Sequence, residues 1–387
     1  MNDGPTPNSP PGLLPAGLMD LLPPQAEREA VLVEALMEGF ARHGYERVKP
    51  PLLEFEEGLL GGSGAAVAEQ TFRLMDPVSQ RMMGLRADTT PQVARIAATR
   101  LGLQARPLRL CYAGQVLRVR GSELAPSRQL AQAGVELIGG AAPEADAEVA
   151  LVAAEALARV GVTGITLDVT LPRMAQALLA AAGIDDRLAG RLIHALDRKD
   201  AAAVTALAEG AGPVALLLPR LLAAAGPAPH ALAVLREAEL PEAARAIAEN
   251  AARIIEAIAA RAPGLRITLD PIEFRGFRYH VGVAFTIFGP GMSGELAKGG
   301  RYLSANDEPA TGMTLYPDAV LRAAPQAAPR PRCFLPLGTP AAIGAALREQ
   351  GFATVAALAA EDAAAALRCT HSWDGAKPAP LVQKGSD

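Results

Sequence analysis

Arg118-Val119-Arg120, followed across a polar loop by Gln132-Ala133-Gly134-Val135-Glu136, is the stretch on which fold and function both turn. Residues 108–117 and 131–138, on either side of that loop, read as two strands. Gln132 and Glu136 stand four apart, and because side chains alternate across a strand, both point to one face. Two strands that aim polar groups into one pocket are a sound way to fix a small polar ligand. Packed among Ala131, Val135, Leu137 and Ile138, an amide and a carboxylate need partners. Either one left unpaired in an apolar setting costs roughly a few kcal/mol. On spacing alone, a solvent-facing polar stripe accounts for the same residues equally well.

Outward from this centre, residues 1–11 are rich in Pro, Asn, Ser and Gly and read as a disordered N-terminus. Residues 27–43 place Val31, Leu32, Ala35, Leu36 and Phe40 at helical spacing, and Gly44 closes the helix. Residues 45–55 give a short strand and extended chain around Pro50 and Pro51. Residues 71–85 read as a hairpin around Asp76-Pro77, and 91–100 as a helix with proline in its first turn. After the decisive stretch come a helix at 144–160 and a strand at 164–170.

From 172 to 262 the periodicity is helical almost throughout, which predicts a helical insertion. Strand character returns at 266–270, 279–288 and 294–297, so strands on both sides of the insertion join one sheet. The expected organisation is a core of residues 12–171 and 263–322, an insertion at 172–262, a Pro/Ala-rich linker at 323–331 and a small C-terminal domain at 332–387. That last domain reads as strand 333–336, helix 339–350, strand 353–357 and a second helix at 361–367.

Half of the 387 residues are hydrophobic, which excludes a disordered chain and provides a sizeable core. The formal net charge is -4, whereas proteins that hold long nucleic acids gather Lys and Arg, so charge does not suggest a tRNA partner. Cys111, Cys333 and Cys369 have no zinc-type spacing and read as reduced thiols; no metal or cofactor is expected. The N-terminus lacks a signal-peptide pattern, and the apolar stretch 204–225 is broken by Glu209, Gly212, Pro213, Pro219 and Arg220. No membrane span and a cytoplasmic location are therefore expected. Short motifs for Walker loops, dinucleotides, zinc proteases and serine hydrolases are absent. His43, His194, His230 and His371 are isolated and read as structural or surface groups. Arg106, Arg109, Arg118 and Arg120 read as an anion patch or as a solvated face.

Taken together, Tyr112, Gly114, Arg118, Arg128, Gln132, Gly134 and Glu136 resemble the strand-loop-strand motif of the histidyl-tRNA synthetase family. Three further segments are similar to that family in the same order: Arg86-Ala87-Asp88-Thr89-Thr90, Arg275-Gly276-Phe277-Arg278-Tyr279-His280 and Gly299-Gly300-Arg301-Tyr302. The resemblance covers about residues 12–322. It implies an α+β fold, a class II synthetase-like antiparallel sheet flanked by helices, with the helical insertion and a small α/β C-terminal tail. It implies dimerisation through the N-terminal helix and strand. It also implies a histidine-binding pocket: Asp88, Thr90 and Gln132 for the ammonium, Glu136 with Tyr279 or His280 for the imidazole, and Arg275 for the carboxylate. Arg118 belongs to the same set.

The departures matter as much. The family's acidic partner in its Arg-x-Glu motif is Arg120 here, a usually basic loop position is Pro126, and its ATP-binding arginine falls at Ala319. Adenylate formation needs preorganised cations around the transferring phosphates. Only about sixty residues follow the linker, short of the family's anticodon-binding domain. A core that keeps its amino-acid pocket and loses these parts resembles the family's histidine-pathway paralogues, the regulatory subunits of ATP phosphoribosyltransferase. That resemblance implies no catalytic residue of its own and a hetero-oligomer with the short catalytic chain, whose activity requires the subunit. It also implies feedback inhibition by histidine and no tRNA partner. A reduced histidine-tRNA ligase and a stand-alone histidine binder remain the alternatives.

Overall fold

The computed structural model describes residues 12–121, 126–273, 279–292, 294–326 and 328–381. The chain divides into two compact units between Pro325 and Gln326.

The first unit begins with helix α1 (Gln25–Arg42), whose Leu32, Leu36, Met37 and Phe40 are buried. Val31 lies outside that stripe, 64% exposed, although its spacing placed it with the others. After α1 come β1 (Glu46–Arg47), β2 (Leu53–Phe55), the short helix α2 (Glu56–Leu59), β3 (Arg73–Met75) and β4 (Met82–Leu85). Strands β2, β4 and β3 form a small antiparallel sheet. In its hairpin turn, Asp76 accepts hydrogen bonds from the amides of Val78 and Ser79. Helix α3 (Thr90–Thr99) starts with Pro91, whose missing N–H is no loss in a first turn. Strands β5 (Leu108–Leu117) and β6 (Gln129–Ile138) pair antiparallel along their whole length.

Helix α4 (Pro143–Arg159) and β7 (Thr166–Thr170) lead into the helical stretch. That stretch comprises α5 (Met174–Ala182), α6 (Asp186–Asp197), α7 (Ala201–Ala208), α8 (Leu217–Ala223), β8 (Gly226–Pro227), α9 (Ala228–Glu237) and α10 (Glu242–Arg261). Then follow β9 (Arg266–Asp270), β10 (His280–Phe288), β11 (Glu295–Leu303), β12 (Pro309–Leu315) and α11 (Pro317–Ala323). The main sheet has nine strands in the order β1-β5-β6-β12-β11-β10-β7-β9-β8. It is antiparallel except at β1/β5 and β7/β9, which are parallel. The helical stretch is therefore sewn into the sheet, because β8 pairs with β9 at its edge.

Two elements depart from the sequence expectation. Strand β11 runs on to Leu303 through Gly299-Gly300, and β12, absent from the expected strands, lies in the middle of the sheet. Glycines in both segments, and Pro309 in β12, weaken the strand signal, yet interior pairing on both edges compensates.

The main core lies between the sheet and α1, α4, α5 and α10. Alanine gives α4 its role here: Ala147, Ala150, Ala153 and Ala156 are buried, and a Cβ at Gly39 of α1 would stand 3.5 Å from that of Ala156. Small residues on both helices let their backbones approach closely. Among the described residues, no helix is long and apolar enough to cross a membrane.

The second unit has β13 (Arg332–Leu335), α12 (Ala341–Glu349), β14 (Ala353–Ala356), β15 (His371–Trp373) and β16 (Pro378–Pro380), with sheet order β14-β13-β15-β16. Residues 361–367, expected as a helix, form turns instead. So short a segment cannot offset helix nucleation without an apolar face to bury.

Candidate functional site

Glu136 is the centre of the site. It lies on β6, 1% exposed, and each carboxylate oxygen accepts one hydroxyl: Thr90 Oγ1 donates to Oε1 at 2.8 Å and Tyr302 Oη to Oε2 at 2.8 Å. Tyr112 Oη stands 3.3 Å from Thr90 Oγ1 and 2.7 Å from Thr314 Oγ1. Burial pushes the Glu136 carboxyl up to about 8, against the hydroxyls of Thr90 and Tyr302, which lower it; the nearby Asp88 charge raises it further.

Glycines make the room for these groups. Gly312 of β12 is the register partner of Glu136, and a Cβ there would land on the Glu136 carboxylate. A Cβ at Gly134 would come within 2.5 Å of Tyr112 Oη. Gly300, at φ 147, has the Val283 carbonyl and the His280 ring where a side chain would be.

Next to the acid is a second hydrogen-bonded group. The Gln132 amide nitrogen donates to Asp88 Oδ2 at 3.1 Å, and its carbonyl accepts from the Thr89 amide at 3.1 Å and the Thr89 hydroxyl at 2.9 Å. Asp88 Oδ1 accepts the Thr90 amide at 2.9 Å. The amide of Gln132, buried as an interior strand residue, thus has the partners that burial demands.

Tyr279, His280, Thr314 and Tyr302 join Thr90 and Glu136 around a cavity of about 10 Å³. That innermost space has room for roughly one water, and the cavity is open on its outer side. Tyr279 lies against His280, ring centroids 4.1 Å apart, and meets Tyr302 edge-on at 6.3 Å.

The expected site residues fall into three groups. Asp88, Thr90, Gln132 and Glu136 come together in one hydrogen-bonded set, with Tyr279 and His280 on the adjoining wall. Arg118 donates to the Ala87 carbonyl at 3.3 Å and lines a neighbouring cleft with Glu69, Gln70 and Arg120, of about 410 Å³. Arg275 lies outside the described residues. Tyr302, Tyr112, Thr314 and Thr89 were not among the expected site residues; Tyr302, Tyr112 and Thr89 stood in the quoted motifs, which was the available signal. Arg301, beside Tyr302, is structural: its guanidinium forms a buried two-toothed pair with Asp146 at 3.0 and 2.7 Å. Ala319, on α11, is buried and offers no cation.

The site can accept hydrogen bonds from a cationic or N–H-bearing guest at Asp88 and Glu136. Among the described residues no group of three or more His, Cys, Asp or Glu could hold a metal.

Comparison with known proteins follows the same lines. The family model described as histidyl-tRNA synthetase matches residues 17–320. The ATP phosphoribosyltransferase regulatory subunit of Rhodospirillum centenum is 55% identical over 94% of this chain and 95% of its own. A crystal structure of an ATP phosphoribosyltransferase regulatory subunit/histidyl-tRNA synthetase from Bacillus halodurans superposes with TM-score 0.80, at 24% identity, covering 93% of this chain and 97% of that one. A chain of an ATP phosphoribosyl transferase (HisG:HisZ) complex from Thermotoga maritima superposes with TM-score 0.59 at 18% identity, covering 75% of this chain and 97% of that one.

Proposed function

The chain belongs to the ATP phosphoribosyltransferase regulatory subunits, a family built on the histidyl-tRNA synthetase fold, and from that premise we propose that it senses histidine for its enzyme complex. It is a non-catalytic subunit. By this reading it joins the short catalytic chain in a hetero-oligomer, is required for that chain's activity, and makes it sensitive to histidine. It pairs with a second copy through α1 and the adjoining strand, and takes no tRNA.

The observation that carries the ligand is Glu136. Its two hydroxyl donors use half of a carboxylate's roughly four acceptor sites, leaving room for an imidazole N–H. In a buried setting its proton is held up to about 8. An imidazolium guest would restore the charge pair that burial alone opposes. Asp88 and Thr90 supply acceptors for the ammonium, with Gln132 orienting Asp88; Tyr279 and His280 border the ring, and Arg275 meets the carboxylate.

Two measurements test this. Phosphoribosyl-ATP formation by the short catalytic chain should appear only with this subunit and fall as histidine is titrated in; no effect of either removes the regulatory reading. Calorimetry should show histidine binding that Glu136→Ala abolishes, and unchanged binding removes the pocket assignment. ATP-pyrophosphate exchange driven by histidine would favour a ligase, against which Arg120 and Ala319 argue.

A further inference from the structure

The walls of the cavity are not held by the core alone. Arg173, at the start of α5, donates its Nε–H to the backbone carbonyl of His280 at 3.2 Å and also reaches Gln176 Oε1 at 3.1 Å. Lys199, between α6 and α7, places its ammonium 2.7 Å from Asp270 Oδ2 and 3.1 Å from Glu273 Oε2. Asp270 ends β9, and its other oxygen accepts the amides of Ile272 and Glu273, which fixes the turn that leaves the strand. The end of β9 at Asp270–Glu273 and the backbone at His280 are thus each held by one cation from the helical stretch.

The conformation of Lys199 supports a purpose. Its φ is 54°, the left-handed region, and its amide bonds the Leu196 carbonyl at 2.9 Å as α6 ends. Glycine is the usual residue at such a helix end, and a residue with a Cβ is strained there. Strain at one position is informative when something depends on the side chain. Beside it stand three carboxylates, Asp168, Asp270 and Glu273: burial first, and then the charges of Asp270 and Glu273, push the Asp168 carboxyl up. The Lys199 ammonium pairs with two of them and offsets part of their charge. Thr268 also donates to Asp168 Oδ1 at 2.5 Å, tying the group to β9.

We infer that Arg173 and Lys199 are positioning residues for the cavity: through His280 and through Asp270 with Glu273, the helical stretch sets the placement of the Tyr279–His280 wall and hence ligand affinity. This rests on the histidine pocket proposed above. A wall held in its binding-competent place raises apparent affinity by the fraction of molecules so arranged, and loosening it lowers affinity by the same fraction. The helical stretch then acts on the pocket without touching the ligand.

Lys199→Gly separates this role from mere fastening, because it removes the cation while relieving the left-handed backbone. The expected result is a melting temperature that holds, histidine binding weaker by about threefold to tenfold, and faster hydrogen exchange of the backbone amides in residues 279–283. Arg173→Met should do the same, and Lys199→Arg should restore most of the affinity. Wild-type affinity and wild-type exchange in both Lys199→Gly and Arg173→Met would overturn the inference. If the wild-type chain binds no histidine, the pocket reading fails, and the exchange measurement alone decides: faster exchange at 279–283 upholds the positioning role and unchanged exchange ends it.

Discussion

Glu136 binds its proton far more tightly in the folded chain than in the unfolded one, and that difference has a sign. Its carboxyl rises from 4.5 to about 8, so between those values the folded state holds a proton that the unfolded state has released. The group's contribution to stability is complete below about 4.5 and is lost as pH rises through about 8. Glu136→Gln, which keeps shape and neutrality, should therefore gain on the wild type by a few kcal/mol, on the order of the raised proton affinity, between about pH 5 and pH 8.5. Urea unfolding of both proteins at the two pH values measures it, and parallel behaviour would show that the carboxyl is not raised. Gly312→Ala asks for a methyl where the Glu136 carboxylate stands. Overpacking of this kind costs about 1–3 kcal/mol, and histidine binding should be lost with it; a variant as stable as wild type in urea would contradict the packing. At this scale alternation put Gln132 and Glu136 on one face but left a solvent-facing stripe equally open, and only the fold shows both buried. Tyr302 reaches Glu136 from 166 residues away, and no spacing rule carries that far.

The same limit decides which elements were legible. Helix α1 follows from its apolar stripe, and β5/β6 from their strand-forming runs, whose two faces pack into two separate hydrophobic clusters. Strand β12 did not, since Pro309 and Gly312 weaken its strand signal; its place between β6 and β11 comes from sheet pairing that only the fold supplies. What keeps β11 and β12 against α4 is also long-range. Arg301 of β11 pairs with Asp146 of α4, donates to the carbonyls of Gly140 and Ala142, and Thr311 of β12 donates to the same Asp146. Asp146→Ala leaves the Arg301 guanidinium buried without its anion, and chemical denaturation should show a loss of about 3–5 kcal/mol. Asp146→Leu with Arg301→Met, which removes both charges, should recover much of that. A double variant no more stable than Asp146→Ala would mean that the pair's hydrogen bonds to the backbone, not its charge balance, hold the strands.

For the whole molecule, sensing requires that occupancy of a cavity behind Tyr279 be felt by another chain. Thermodynamics fixes one consequence whatever the route: if histidine changes the affinity of this subunit for its catalytic partner, the partner changes histidine affinity by the same factor. Couplings of this kind are typically about 5- to 150-fold. Two placements of the Tyr279–His280 wall, preferred differently by ligand and partner, would supply such a coupling. Histidine calorimetry on the free subunit and on the assembled complex, alongside subunit dissociation measured with and without histidine, gives both sides of the cycle. We expect the two factors to agree within error and to differ from one. Equal histidine affinity in the free and assembled subunit, together with inhibition that persists in the complex, would place the inhibitory histidine outside this cavity and leave Glu136 with a role in the fold alone.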